Sequence, residues 1–199
     1  MKTLVLSVCI ALSALVSAQG YKPGDKATDF SLKNIDGKMV SMKDYTTAKG
    51  FIVVFTCNHC PFAKAYEQRI LDLDKKYASK GFPVIAINPN DPVEYQEDSY
   101  ENMQARAKLM NYTFPYLVDA SQEITKAYGA AKTPHVYVLK KNGNDAIVEY
   151  IGAIDDNDRD ASAAKEKYVE NAIDALLKGD KVAVSTTKAI GCSIKWKKS

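Results

Sequence analysis

The join at positions 51–61 restricts the fold of this chain more than any other feature. Phe51 to Thr56 is an apolar run that leads without a break into Cys57-Asn58-His59-Cys60-Pro61. A run apolar at successive positions fits a strand buried on both faces. Beyond it, Phe62, Tyr66, Ile70, Leu73 and Tyr77 recur at helical spacing and define one apolar face. Pro61 falls in the first helical turn, where a missing N–H costs little. The two cysteines therefore sit where a buried strand becomes an amphipathic helix.

The flanking sequence supplies the rest of a sheet. Asp29 to Asp44 reads as a hairpin, with Asp36-Gly37 as the turn between Phe30/Leu32 and Val40/Met42. Phe82 to Asn88 is a second buried strand, broken by Asn88-Pro89-Asn90-Asp91-Pro92. Met103, Ala107 and Met110 predict a helix from about Glu94 to Asn111. Tyr116 to Val118 reads as a short strand and Ser121 to Tyr128 as a short helix. His135 to Lys140 and Ile147 to Ile151 are strands joined by Asn142-Gly143-Asn144. Val169, Ile173 and Leu176 mark a closing helix stopped by Gly179. Alternating strands and helices, then a hairpin and a helix, imply an α/β fold: a mixed sheet between helices. An N-terminal hairpin precedes it and a C-terminal tail follows.

Residues 1–18 read as an export signal rather than as fold. Lys2 supplies the positive start, Leu4 to Val16 is apolar but too short to span a bilayer, and Val16-Ser17-Ala18 is a small-residue cleavage pattern. The mature chain is expected to begin at Gln19, without Cys9 and without a membrane anchor. Val8 before Cys9 is too large for a lipid-anchoring signal. The domain proper spans 19–180 and the tail 181–199. A net charge of +3, with lysines scattered apart from Lys195, Lys197 and Lys198, gives no basis for binding nucleic acid.

Cys57, Cys60 and Cys192 remain after the leader. Two lie in one C-x-x-C, which is a redox pair plus a leftover thiol rather than a disulfide framework. Unpaired N–H groups and the dipole at a helix start stabilise a thiolate, which predicts a lowered pKa for Cys57. A protonated His59 between the cysteines would add to this and make the disulfide more oxidising. A zinc half-site would need His59, His135 or Cys192 to complete it, and no second C-x-x-C is present. An inert disulfide across four residues would constrain little of the unfolded chain. Thr133-Pro134 directly precedes a strand. It reads equally as a plain strand start or as a cis proline facing the cysteines.

Lys22-Pro23-Gly24-Asp25 through Phe30-Ser31-Leu32, Asp36-Gly37-Lys38, Phe55 to Pro61, Lys132-Thr133-Pro134 and Gly152-Ala153-Ile154-Asp155-Asp156 follow one another along the chain. In these segments and their order the chain resembles the redoxin (AhpC/TSA) branch of the thioredoxin superfamily. It is most similar to a peroxiredoxin-like, TlpA-like group with a C-N-H-C-P motif. That likeness continues at Asn88 to Pro92, at Phe114-Pro115-Tyr116 and at Gly191-Cys192-Ser193-Ile194-Lys195-Trp196. The resemblance implies a thioredoxin fold, Cys57 as nucleophile, Cys60 as resolving cysteine and a cis Pro134 whose neighbour Thr133 meets substrate. The pair also looks like the C-P-H-C of DsbA. Many members of the group carry Cys before Thr-Pro and Asp after it. Here those positions hold Lys132 and His135, so His135 is expected to retune the site.

Three functions follow from different chemistries. Dithiol–disulfide exchange with protein substrates needs no cofactor, only a thiol electron donor or acceptor. A thiol peroxidase would carry P-x-x-x-[T/S]-x-x-C. Counting back gives Gly50 and Val54 for Cys57, and Val53 and Cys57 for Cys60, so that motif is missing. A metal-binding module would use the cysteines and a histidine. For Cys192, the alternation of Ile190, Cys192, Ile194 and Trp196 with polar neighbours predicts a docked extended tail with an inert, protonated thiol. The competing reading is an accessory redox thiol that exchanges with Cys57 and Cys60.

Overall fold

The computed structural model describes residues 20–198, so the leader from Lys2 to Ala18, Cys9 and the expected start at Gln19 lie outside the described residues. The elements run β1 (Lys26–Ala27), β2 (Leu32–Asn34), β3 (Met39–Val40), β4 (Gly50–Phe55), α1 (Pro61–Tyr77), β5 (Val84–Asn88), α2 (Tyr100–Met110), β6 (Tyr116–Val118), α3 (Glu123–Tyr128), β7 (Lys132–Thr133), β8 (His135–Asn142), β9 (Asp145–Gly152), α4 (Tyr168–Lys178) and β10 (Cys192–Ser193). Eight strands form one mixed sheet in the order β1-β9-β8-β4-β5-β6-β2-β3, and β10 pairs separately with β7. Strands β4, β5 and β6 are parallel, and β8 and β9 add antiparallel on the other side of β4.

Central position explains the unbroken apolar run of β4. Ile52 and Val54 point into one core with Tyr66, Ile70, Leu73, Tyr77 and the α4 residues Val169 and Ile173. Phe51, Val53 and Phe55 point into a second core with Ile85, Ile87, Leu117, Tyr128 and Tyr137. Both faces are covered, so alternation gives way to continuous hydrophobicity. Burying each such side chain is worth about 1.5–3 kcal/mol. The base of the cysteine loop is therefore anchored at the centre of the sheet.

The N-terminal hairpin forms around Gly37, whose φ of 85° suits glycine, with Leu32 opposite Val40. It is shorter than expected, because Met42 turns into a 3₁₀ segment capped by Ser41. The predicted helix over 94–111 starts only at Tyr100, with Ser99 as N-cap. The residues before it form a 3₁₀ turn, Gln96–Asp98, held against the cysteine loop. Gly179 ends α4 in the left-handed region, as the sequence predicts.

Candidate active site

The helix α1 has Cys60 as its N-cap and Pro61 as its first residue. Residues 57–60 thus form a loop between the end of β4 and the start of α1. That loop is pinned by one side chain, Asp98. Its Oδ1 accepts from the Asn58 N–H at 2.6 Å and the His59 N–H at 3.3 Å. Its Oδ2 accepts from Asn90 Nδ2 at 2.8 Å and lies 2.5 Å from His59 Nδ1. Asn58 is held further by Nδ2 donating to the Glu97 carbonyl and by Tyr116 Oη donating to its Oδ1. The His59 ring stacks on Tyr95 with centroids 4.2 Å apart. Asp98, Asn90 and Tyr95 escape sequence reasoning. Asp98 and Tyr95 lie in a stretch whose pattern reads as helix, and Asn90 reads only as a strand breaker.

Thr133-Pro134 comes to the same place, and its peptide bond is cis. Thr133 Oγ1 lies 3.1 Å from Cys57 Sγ, within hydrogen-bond reach, and the Thr133 carbonyl oxygen lies 3.2 Å from Cys60 Sγ. One residue thus touches both sulfurs of the C-x-x-C.

The disulfide in this structure joins Cys60 to Cys192, with Cα atoms 6.0 Å apart, and Cys57 is a buried free thiol. Two expectations are corrected here. Cys192 is not an isolated, protonated thiol, because its sulfur is bonded to Cys60. The Cys57 thiol is not lowered either: burial, and then the Asp98 carboxylate, push it up to about 11. The Thr133 hydroxyl and the Cys60 N–H at the helix cap pull it back down, but by less than burial and Asp98 raise it. A protonated His59 would meet Asp98 first, so its charge would be largely paired rather than directed at Cys57.

The tail docks in extended form. Cys192 pairs with Thr133 and Ser193 with Lys132. Beyond them, Lys195 N donates to Asn90 Oδ1 at 2.9 Å, and Lys197 N donates to Gln122 Oε1 at 2.9 Å. Ile194 is buried, but Trp196 is 41% exposed with Lys126 over its ring, so the predicted apolar face ends at Ile194. Gly191 makes the close approach possible. A Cβ there would lie 2.6 Å from the Thr133 carbonyl carbon.

His135 stands on the other side of Pro134, half-buried against Tyr137, and its Nδ1 accepts from the Ala131 N–H. Burial lowers its pKa from 6.5 to about 4. Between those values the unfolded chain binds a proton that the folded chain refuses. The stability it contributes is full above pH 6.5 and is lost as pH falls toward 4, by at most about 3 kcal/mol. Urea midpoints should therefore drop more between pH 7 and pH 4.5 in the wild type than in His135→Gln. Equal drops would mean the ring titrates normally.

A metal could draw on Cys57, His59 and Asp98, whose ligand atoms lie within 4.8 Å of one another. Asp98 already accepts from two main-chain N–H groups and from Asn90, and Cys60 is committed to Cys192.

The AhpC/TSA family model matches residues 23–149. Over 120 residues the chain is 26% identical to the thiol-disulfide oxidoreductase ResA of Geobacillus thermodenitrificans, covering 60% of this chain and 64% of that protein. The chain thus spans just under two thirds of that relative's length. The crystal structure of an uncharacterized conserved protein from Geobacillus kaustophilus is similar with a TM-score of 0.82 and 39% identity, over 91% of this chain and 95% of that one. An exposed lipoprotein thioredoxin of Streptococcus pneumoniae has a TM-score of 0.55 at 22% identity, over 76% of this chain and 99% of that one. At that identity the likeness concerns the fold alone, and that fold is thioredoxin-like.

Proposed function

The chain belongs to the AhpC/TSA family, and from that premise we propose that it is a thiol–disulfide oxidoreductase that exchanges disulfides with protein substrates through Cys57 and Cys60. The observation that carries this reading is the contact of Thr133 with both sulfurs beside the cis Pro134. Such a residue offers main-chain groups to an extended substrate at the point where sulfurs exchange. Cys57 attacks one sulfur of the substrate disulfide and releases a substrate thiolate. Cys60 then attacks Cys57 Sγ and releases the second thiolate. A thiol donor or acceptor outside the chain resets the pair. No cofactor enters these steps.

The site works outside the cytoplasm in this reading, after export directed by Lys2 and the apolar run to Val16 and cleavage near Ala18. No helix among the described residues is long and apolar enough to cross a membrane. The metal-binding reading is weaker, because the Asp98 oxygens and the Cys60 sulfur already have partners.

The test supplies the protein with dithiothreitol and either insulin disulfides or hydrogen peroxide. The expected result is catalysed insulin reduction with peroxide consumption near background. Efficient peroxide turnover with negligible insulin reduction would assign a thiol peroxidase instead.

A further inference from the structure

The family match ends at residue 149, so it says nothing about Cys192. Three observations bring that residue into the chemistry. Cys57, Cys60 and Ala63 form one small buried cluster, with Cys192 packed against it. Cys60 is bonded to Cys192 across 132 residues of sequence, while Cys57 lies beside the pair as a thiol. The tail is held by main-chain pairing to Thr133, the same residue that touches both C-x-x-C sulfurs.

We propose that Cys192 is a third catalytic cysteine, which takes the disulfide from the Cys57–Cys60 pair and parks it as Cys60–Cys192 in the docked tail. This rests on the exchange reading above. The electrons balance at each step. Substrate reduction leaves a Cys57–Cys60 bond. The Cys192 thiolate attacks Cys60 Sγ, the Cys60–Cys192 bond forms, the Cys57–Cys60 bond breaks, and Cys57 leaves as a thiolate that takes up a proton. No net oxidation accompanies this transfer. An external dithiol then attacks the Cys60–Cys192 bond and becomes a disulfide, and three thiols are restored.

Docking serves the transfer in two ways. β10 covers the main-chain edge of Lys132–Thr133, where an extended substrate would pair, so the parked disulfide also closes the substrate edge. Asn90 ties the two halves together. Its Nδ2 donates to Asp98 under the cysteine loop, and its Oδ1 accepts from Lys195 in the tail.

The experiment starts from fully reduced protein and adds less than one equivalent of a small disulfide, such as oxidised glutathione. Samples are quenched in acid at intervals, and the disulfides are mapped by mass spectrometry. Wild type should show Cys57–Cys60 first and Cys60–Cys192 at the end. Cys192→Ser should stop at Cys57–Cys60. Gly191→Ala keeps the thiol but blocks the close approach to Thr133, and overpacking of this kind should lower the final share of Cys60–Cys192 roughly tenfold. Wild type that ends at Cys57–Cys60 with Cys192 alkylatable throughout would overturn the relay, while leaving exchange by Cys57 and Cys60 intact. A protein in which no sulfur reacts with the added disulfide would fail the exchange reading itself.

Discussion

Cys57→Ser is expected to reduce catalysed disulfide exchange to the uncatalysed rate, a loss on the order of 10³-fold or more. Exchange needs a thiolate to open the substrate disulfide, and a hydroxyl cannot replace it. Cys60 Sγ is fully buried behind the loop, so it is not placed to attack first. Serine fits the site. It keeps a group that can face Thr133 Oγ1, and it removes no large side chain from the core. The fold should therefore survive, and a near-native thermal midpoint would separate lost chemistry from lost structure. Insulin reduction that persists in Cys57→Ser would move the nucleophile elsewhere.

Asp98 should give the second large effect, split between two variants. Asp98→Ala leaves the N–H groups of Asn58 and His59 and the Asn90 amide without an acceptor, in a place from which water is largely excluded. Removing a buried charged acceptor in this way costs about 3–5 kcal/mol. Asp98→Asn is the sharper probe. An amide of the same shape can still accept from the loop, but it carries no charge to oppose a thiolate at Cys57. The carboxylate is the second cause of the raised Cys57 pKa, after burial. In Asp98→Asn the alkylation profile of Cys57 should move to lower pH, and the rate near pH 8 should rise roughly three- to tenfold. Peptide-resolved alkylation between pH 7 and pH 10 reads this directly, and a loss of packing alone would not shift a pH profile. An unchanged profile would mean that burial by itself sets the thiol.

The parts of the fold that could be read from the sequence were those set by burial on two faces or by a local turn. The β4 run, the face of α1 and the Asn142-Gly143-Asn144 hairpin are of this kind, because each signal lies within a few consecutive residues. The helix start at Tyr100 could not be read so easily. The pattern of Met103, Ala107 and Met110 continues outward to Glu94, but Asp98 is drawn away to hydrogen-bond a loop 40 residues earlier. The strand β1 is two residues long and pairs with β9 at the far end of the sheet order, which leaves no periodicity to detect.

The site divides along the same line. Cys57, His59, Cys60 and the Thr133-Pro134 pair announce themselves by local spacing and by family likeness. The extended character of the tail shows in its alternation, but its partner does not. That Cys192 meets Cys60 depends on Gly191 passing close to Thr133 and on Asn90 and Gln122 holding the strand that follows. The raised Cys57 thiol escapes the sequence for a related reason. Proximity to a helix start is visible in sequence, whereas the burial of the sulfur and a carboxylate that folds in from residue 98 are not.

A trapped mixed disulfide would identify Cys57 as the attacking sulfur. With Cys60 and Cys192 both changed to serine, no internal thiol remains in the site to resolve an attack by Cys57. Incubation of that variant with a disulfide-bonded protein substrate, followed by non-reducing electrophoresis and peptide mapping, should reveal a covalent adduct through Cys57 that dithiothreitol releases. Absence of any adduct at Cys57, under conditions where wild type reduces the same substrate, would rule out Cys57 as the attacking sulfur.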